Sequence, residues 1–126
     1  MNYHAMMKEY KHIDISSKIE NADGHEFIKI IFEELISNLK ALSYAIQNDP
    51  KNLKKSKYFS QSLSSIMILS QSLDFEKGEP IASNLFNLYD YCRRSIIKDY
   101  RKNEYEDINV CISVLDDIYG AWSQIG

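Results

Sequence analysis

Apolar side chains recur along this chain at alternating steps of four and three, the spacing that lays them on one face of an α-helix. The clearest run is Ile28, Phe32, Leu35, Leu39, Leu42 and Ile46, with Phe27 and Ile31 widening the stripe. Asp23 and Glu26 stand before it at capping-box spacing, where each side chain can satisfy the other's backbone donor. Asn48-Asp49-Pro50 then ends this helix and predicts the start of the next, with Asp49 as N-cap and Pro50 in the first helical position.

The second run is less tidy. Phe59, Leu63, Ile66 and Leu73 form a seam with Ser70 in its gap, flanked by Tyr58, Met67 and Leu69. Asp74 to Pro80 makes the next connection, in which Gly78 is expected to supply a positive φ and Pro80 to open a helix. Ile81, Leu85, Tyr89, Cys92 and Ile96 line the third helix, which the pattern carries to about Arg101. Asn103 and Glu106 repeat the capping-box spacing, and Ile108, Cys111, Leu115, Ile118 and Trp122 line the fourth. Short connections force neighbouring helices to run antiparallel, so the predicted fold is an all-α, up-down four-helix bundle over residues 21–126.

Residues 1–20 form a separate N-terminal arm. Tyr3, Met6, Met7, Tyr10 and Ile13 fall at helical spacing, without a strong cap. A mobile segment that lies on the bundle and a permanent lid over its end fit this pattern equally.

Composition narrows the function. Only 4 Gly and 2 Pro in 126 residues argue against a strand-rich fold, which needs far more turns. A net charge of −3 has the wrong sign for binding nucleic acid. The local cluster Lys51, Lys54, Lys55 and Lys57 reads as a solvated helix face. The start lacks the apolar core of a signal peptide, and the longest apolar run, Ile66–Leu69, is far too short for a membrane span. A cytoplasmic protein without membrane insertion is therefore expected. Cys92 and Cys111 then read as reduced packing residues, with a disulfide or reactive thiol as the alternative.

Candidate chemistry is thin. Glu9 and His12 have the Glu-x-x-His spacing of helical di-iron sites, but such sites need a second copy and further inward carboxylates. There is no Gly-rich phosphate loop or nucleophile elbow. The pairs Glu33–Glu34 and Asp116–Asp117 diverge by about 100° on a helix and read as solvated surface. No catalytic residue, cofactor or metal is assigned, and a helical metal–carboxylate enzyme is a remote alternative. The surplus is aromatic: Tyr44, Tyr58, Leu69, Leu88 and Tyr91 sit beside or opposite their seams. Each alone fits a wide core or a scattered surface aromatic, but as a group they favour a groove for a partner segment.

The stretch Ser72 to Ile97, SLDFEKGEPIASNLFNLYDYCRRSII, resembles the FliS family of flagellar export chaperones. Its pattern is a Leu-Asp-x-Glu-x-Gly loop, then Ile-Ala-x-Asn-Leu and Leu-Tyr-x-Tyr on the following helix. Leu73, Asp74, Glu76 and Gly78 match the loop. Ile81, Ala82, Asn84, Leu85, Leu88, Tyr89 and Tyr91 match the helix, and the closing helix with Trp122 is also similar. Earlier the family has Thr-Ala-Ser-Pro, where this chain has Asn21-Ala22-Asp23-Gly24, and Phe32 stands in place of a Tyr.

The resemblance implies a chaperone that binds the disordered C-terminal segment of flagellin, prevents its premature polymerisation and hands it to a component of the flagellar export gate. It also implies an arm, best matched at Tyr10, covering part of the client groove. Candidate partner-binding residues are then Tyr10, Ile13, Tyr58, Leu69, Leu88 and Tyr91, with Leu73, Asp74, Glu76, Gly78, Asn84, Leu85 and Tyr89 as the structural motif. Self-association through an empty groove is a further expectation. A divergent adaptor of flagellar secretion, with a different client, is the alternative suggested by Gly24 and Phe32.

Overall fold

The computed structural model describes residues 23–125, so the arm, with Tyr10, Ile13 and the Glu9–His12 pair, lies outside the described residues. Four helices follow: α1 (Gly24–Asn48), α2 (Lys55–Gln71), α3 (Ile81–Lys102) and α4 (Glu106–Gln124). Helix α1 packs against α2 and α4, and α3 closes the ring against the same two, which gives the antiparallel bundle the periodicity predicts.

Helix α1 is the central rod. Every residue of its predicted stripe is buried, and Phe27, Ile30, Ile31, Ile36 and Ala45 extend burial well round the cylinder. Its start is set as expected: Asp23 accepts from the Glu26 amide at 2.8 Å. Polar pairs clip α1 to α4 at both ends. Ser43 Oγ donates to Asn109 Oδ1 at 2.6 Å, and Tyr119 OH donates to Glu33 at 2.6 Å.

The connections depart from the sequence expectation. Asp49 does not cap α2; it ends α1, its amide donating to Ala45 O at 2.8 Å. Residues 49–54 form turns instead, because Asn52 captures the Lys54 amide at 2.8 Å and delays the new helix to Lys55. Helix α2 also stops earlier than its seam suggested, leaving Leu73 in the following loop. Its buried face is rotated towards Ser62, Ser65, Ile66, Ile68 and Leu69. Two small serines let α2 settle closely on α1. Ser62 remains satisfied by donating to Tyr58 O at 2.8 Å.

Helix α3 keeps Tyr89, Cys92 and Ile96 inside, but Ile81 at its first turn is 66% exposed, since no helix passes over it. Asn103 does not cap α4 either. It terminates α3 in the left-handed conformation, φ 59°, with Glu104 N donating back to Asp99 O at 2.8 Å. The missing cap comes from the neighbouring helix. Asp99, 1% exposed, accepts from the Ile108 amide at 3.0 Å and lies 3.6 Å from Lys98 Nζ, while Lys98 also pairs with Asp107. A carboxylate at a helix N-terminus is favoured by the free amides and the helix dipole, which is how this buried charge is accommodated. Cys92 and Cys111 are buried free thiols in the same core. The hydrogen bond shared with Cys92, together with burial, holds the Cys111 thiol well above the ordinary range.

The Asp99 bridge yields a graded prediction. Asp99→Ala removes a buried charge-assisted cap and should lower unfolding free energy by about 2 kcal/mol. Asp99→Asn keeps an acceptor for Ile108 N and should lose roughly half as much. Urea unfolding followed by circular dichroism measures both, and equal losses would show that the cap acceptor is not what matters.

Candidate functional site

The bundle is less completely filled at the end where α1 begins and α4 finishes. Ile28 and Phe32 of α1 form one wall of a cleft of about 210 Å³, Ile118 and Trp122 of α4 a second. The remaining walls are the α2–α3 loop and α3, through Leu73, Asp74 and Gly78, then Ile81, Ala82, Leu85 and Tyr89. Its surface is mostly apolar. Carboxylates stand at the same end, in Asp23, Glu26, Asp74, Glu76 and Glu79.

Each wall has a local cause. Asp74 folds the loop by accepting from the amides of Glu76 at 3.0 Å and Lys77 at 3.1 Å. Gly78 N then donates to Asp74 O at 2.8 Å, and Ala82 N to Gly78 O at 2.8 Å, which leads into α3. Gly78 is needed here for closeness and not for positive φ, which it does not have: a Cβ at this position would lie 2.6 Å from Asp74 O. Glu79 steadies the first turn of α3 by accepting from the Ser83 amide at 3.1 Å. The lip beside α1 is a closed pair. His25 and Trp122 stack with ring centroids 4.7 Å apart. His25 Nε2 donates to Trp122 O at 2.9 Å and Trp122 Nε1 to His25 O at 3.1 Å. Tyr89 at the cleft floor is buried, and burial raises its phenol well above the usual tyrosine range.

The candidate residues therefore separate. Leu73, Asp74, Gly78, Leu85 and Tyr89, expected to be structural, line the cleft, whereas Glu76 and Asn84 are exposed outside it. Tyr58 and Leu88 are half-buried against the core, and Tyr91 is 41% exposed. Leu69 is fully buried, a correction to its expected place beside the seam, because the serine face of α2 turns it into the core. Sequence reasoning missed the cleft-lining role of Ile28, Phe32, Ile118 and Trp122. All four belong to seams, and nothing in a seam's periodicity tells which end residue lacks a facing neighbour.

Among the described residues no group of three His, Cys, Asp or Glu side chains could hold a metal, and no helix is long and apolar enough to cross a membrane. The geometry is that of a four-helix bundle with an apolar cleft at one pole. Comparison with known proteins agrees: the family model "Flagellar protein FliS" matches residues 6–126. A flagellar secretion chaperone FliS of Salmonella typhimurium is 31% identical over 121 residues, covering 94% of this chain and 88% of the relative. Its counterpart in Vibrio cholerae is 27% identical over 119 residues, covering 94% and 87%. The flagellar secretion chaperone FliSB of Pseudomonas aeruginosa is 22% identical over 119 residues, covering 94% of each. The chain belongs to the FliS family, and by that membership it is a flagellar secretion chaperone and not an enzyme.

Two measurements check this geometry. Gly78→Ala should destabilise the chain by about 1–3 kcal/mol by pushing the loop off Asp74 O, whereas Gly120→Ala, with open space around it, should stabilise α4 by roughly 0.5–1 kcal/mol. For Tyr89 the folded-state pKa lies above the unfolded one, so its contribution is complete below pH ~10 and is lost as pH rises beyond. Tyr89→Phe should accordingly flatten the fall in stability above pH ~10, read by urea unfolding at stepped pH.

Proposed function

We propose that this chain is a cytoplasmic export chaperone that binds the disordered C-terminal segment of flagellin, with the apolar cleft as its principal anchor. The observation that carries the reading is the identity of the cleft walls. Leu73, Gly78, Ile81, Leu85 and Tyr89 are the residues through which the chain resembles its family, and they surround one apolar opening. A disordered client loses conformational entropy on binding and needs apolar burial in compensation, about 25 cal/mol per Å². Ile81, held out at the rim, offers such surface at little cost in further ordering. Leu88 and Tyr91 continue it along α3, on the flank that Lys98 shares with α4 through Asp107. That flank suits a client lying extended along the bundle. Holding the segment there keeps it from polymerising, and release would follow at a component of the export gate.

The arm belongs to the same reading. It joins the bundle at Asp23, beside the His25–Trp122 lip. The ten residues from Ile13 to Asp23 can span at most about 33 Å, ample to bring Tyr10 and Ile13 over the cleft. We take residues 1–20 as a cover for the empty cleft, limiting self-association until a client displaces it. Phe32 favours one variation: a cleft wall without the Tyr hydroxyl of the wider family suits an adaptor with a different client.

Isothermal titration with a flagellin C-terminal fragment is expected to give a one-to-one complex and a large negative heat-capacity change. Leu85→Glu and Ile81→Asp should each weaken it at least about tenfold, since each puts a charge against apolar surface. Heatless mixing with the unaltered chain would reject flagellin as the client. Deleting residues 1–17 should leave α1–α4 folded and raise affinity or self-association; unfolding on deletion would mean that the arm is core.

A further inference from the structure

The pole opposite the cleft carries a second concentration of chemistry that client binding leaves unused. The α1–α2 connection and the first turn of α2 place Lys51, Lys54, Lys55 and Lys57 within seven residues. The end of α3 adds Arg101 and Lys102, for Lys55 Nζ donates to Asn103 Oδ1 at 3.4 Å. Elsewhere on α3 the cations are matched: Arg93 and Arg94 both reach Asp90, and Lys98 reaches Asp107. Lys51, Lys54 and Arg101 form no ion pair with a carboxylate among the described residues.

In the middle of these cations stands Leu53, 95% exposed. A lone exposed leucine is ordinary on a protein surface, but this one is held up by a closed turn. Asn52 N donates to Asp49 O at 2.9 Å, and Asn52 in turn accepts from the Lys54 amide through its side chain at 2.8 Å and from Lys55 N through its carbonyl at 3.3 Å. The backbone on both sides of Leu53 is thus fixed before any partner arrives. A preorganised apolar knob flanked in the chain by Lys51 and Lys54, with Asp49 the one carboxylate in its turn, loses little entropy on docking, which is what an anchor residue requires.

We propose that this tip is a second docking surface, for an acidic protein segment that presents an apolar residue or pocket to Leu53. A flat anionic surface fits less well. The α3–α4 connection at the same end of the bundle carries Glu104 and Glu106, which a membrane plane or a nucleic acid duplex would also meet. A narrow peptide can lie on the α2 and α3 side alone. The part of α1 from Phe32 to Asn48 separates this tip from the cleft by roughly 25 Å, so the two surfaces can be occupied together, and this inference stands whichever client the cleft takes.

The test is a titration of the full ¹⁵N-labelled chain with a synthetic amphipathic peptide of glutamate and leucine, a control peptide with lysine for each glutamate, and vesicles of phosphatidylglycerol and phosphatidylcholine. The acidic peptide alone should shift the amides of residues 51–57 and 101–103, with affinity falling steeply between about 0.05 and 0.3 M salt. Leu53→Ser, which leaves every charge in place, and the pair Lys51→Glu with Lys54→Glu should each weaken binding about tenfold or more. All three side chains are exposed, and circular dichroism confirms that the variants are folded. Undiminished binding by Leu53→Ser would reduce the surface to diffuse charge attraction and overturn the proposal. So would shifts centred on the cleft, an absence of shifts, or equal or stronger binding to the vesicles.

Discussion

The rest of this structure depends on the burial of α1. A helix with apolar residues on one stripe can be satisfied by a single neighbour, but α1 carries Phe27, Ile30, Ile31, Phe32, Leu35, Ile36 and Leu39 over much more than one stripe. Each such side chain is worth about 1.5–3 kcal/mol when fully buried, more than any surface ion pair in the bundle. Two helices must therefore flank α1, and the short connections make them α2 and α4, with α3 left to close the far side. Chain direction then fixes the two poles. The α2–α3 loop meets the start of α1 and the end of α4 at one, and the α1–α2 and α3–α4 connections share the other.

At the first pole, packing is left incomplete. Four helix or loop ends converge there, and the α2–α3 loop lacks the bulk to fill the space between them. Gly78 reduces it further by lying against Asp74 O. The consequence is apolar wall without apolar filling, bordered by carboxylates. At the opposite pole the geometry is tight. Asp99 reaches across from α3 to cap α4, and the Phe59 and Tyr100 rings stack at 4.0 Å between α2 and α3. The firm end is therefore also the basic end, and the open end the acidic one.

The helices were legible in the sequence because their cause is periodic: all six stripe positions of α1, and Ile108, Cys111 and Leu115 of α4, are buried where the four-three spacing puts them. The connections were less legible because their causes are not local. Asn103 and Glu106 have the spacing of a capping box, yet Asp99, nine residues before the amide it caps, takes the role once α3 turns back. Asp49-Pro50 looks like a helix start, but Asn52 N donates to Asp49 O and Asn52 accepts from the Lys54 amide, which folds this stretch into turns and moves the helix start to Lys55. Gly78 was correctly singled out for the wrong reason, since close approach and positive φ both select glycine. Half of the cleft was present as motif residues thought structural, while Leu69 shows the converse error. A seam with serines in it can rotate, and hydrophobicity alone does not reveal the turn.

In the proposed function the cleft is the place where a foreign segment is held. Methyl spectra of the chain with labelled isoleucine and leucine, recorded with and without a flagellin C-terminal fragment, address this directly. Ile28, Leu73, Ile81, Leu85 and Ile118 should shift together on binding, while Leu53 at the far tip stays where it was. Binding that moved Leu53 and left those five methyl sets unchanged would contradict the account.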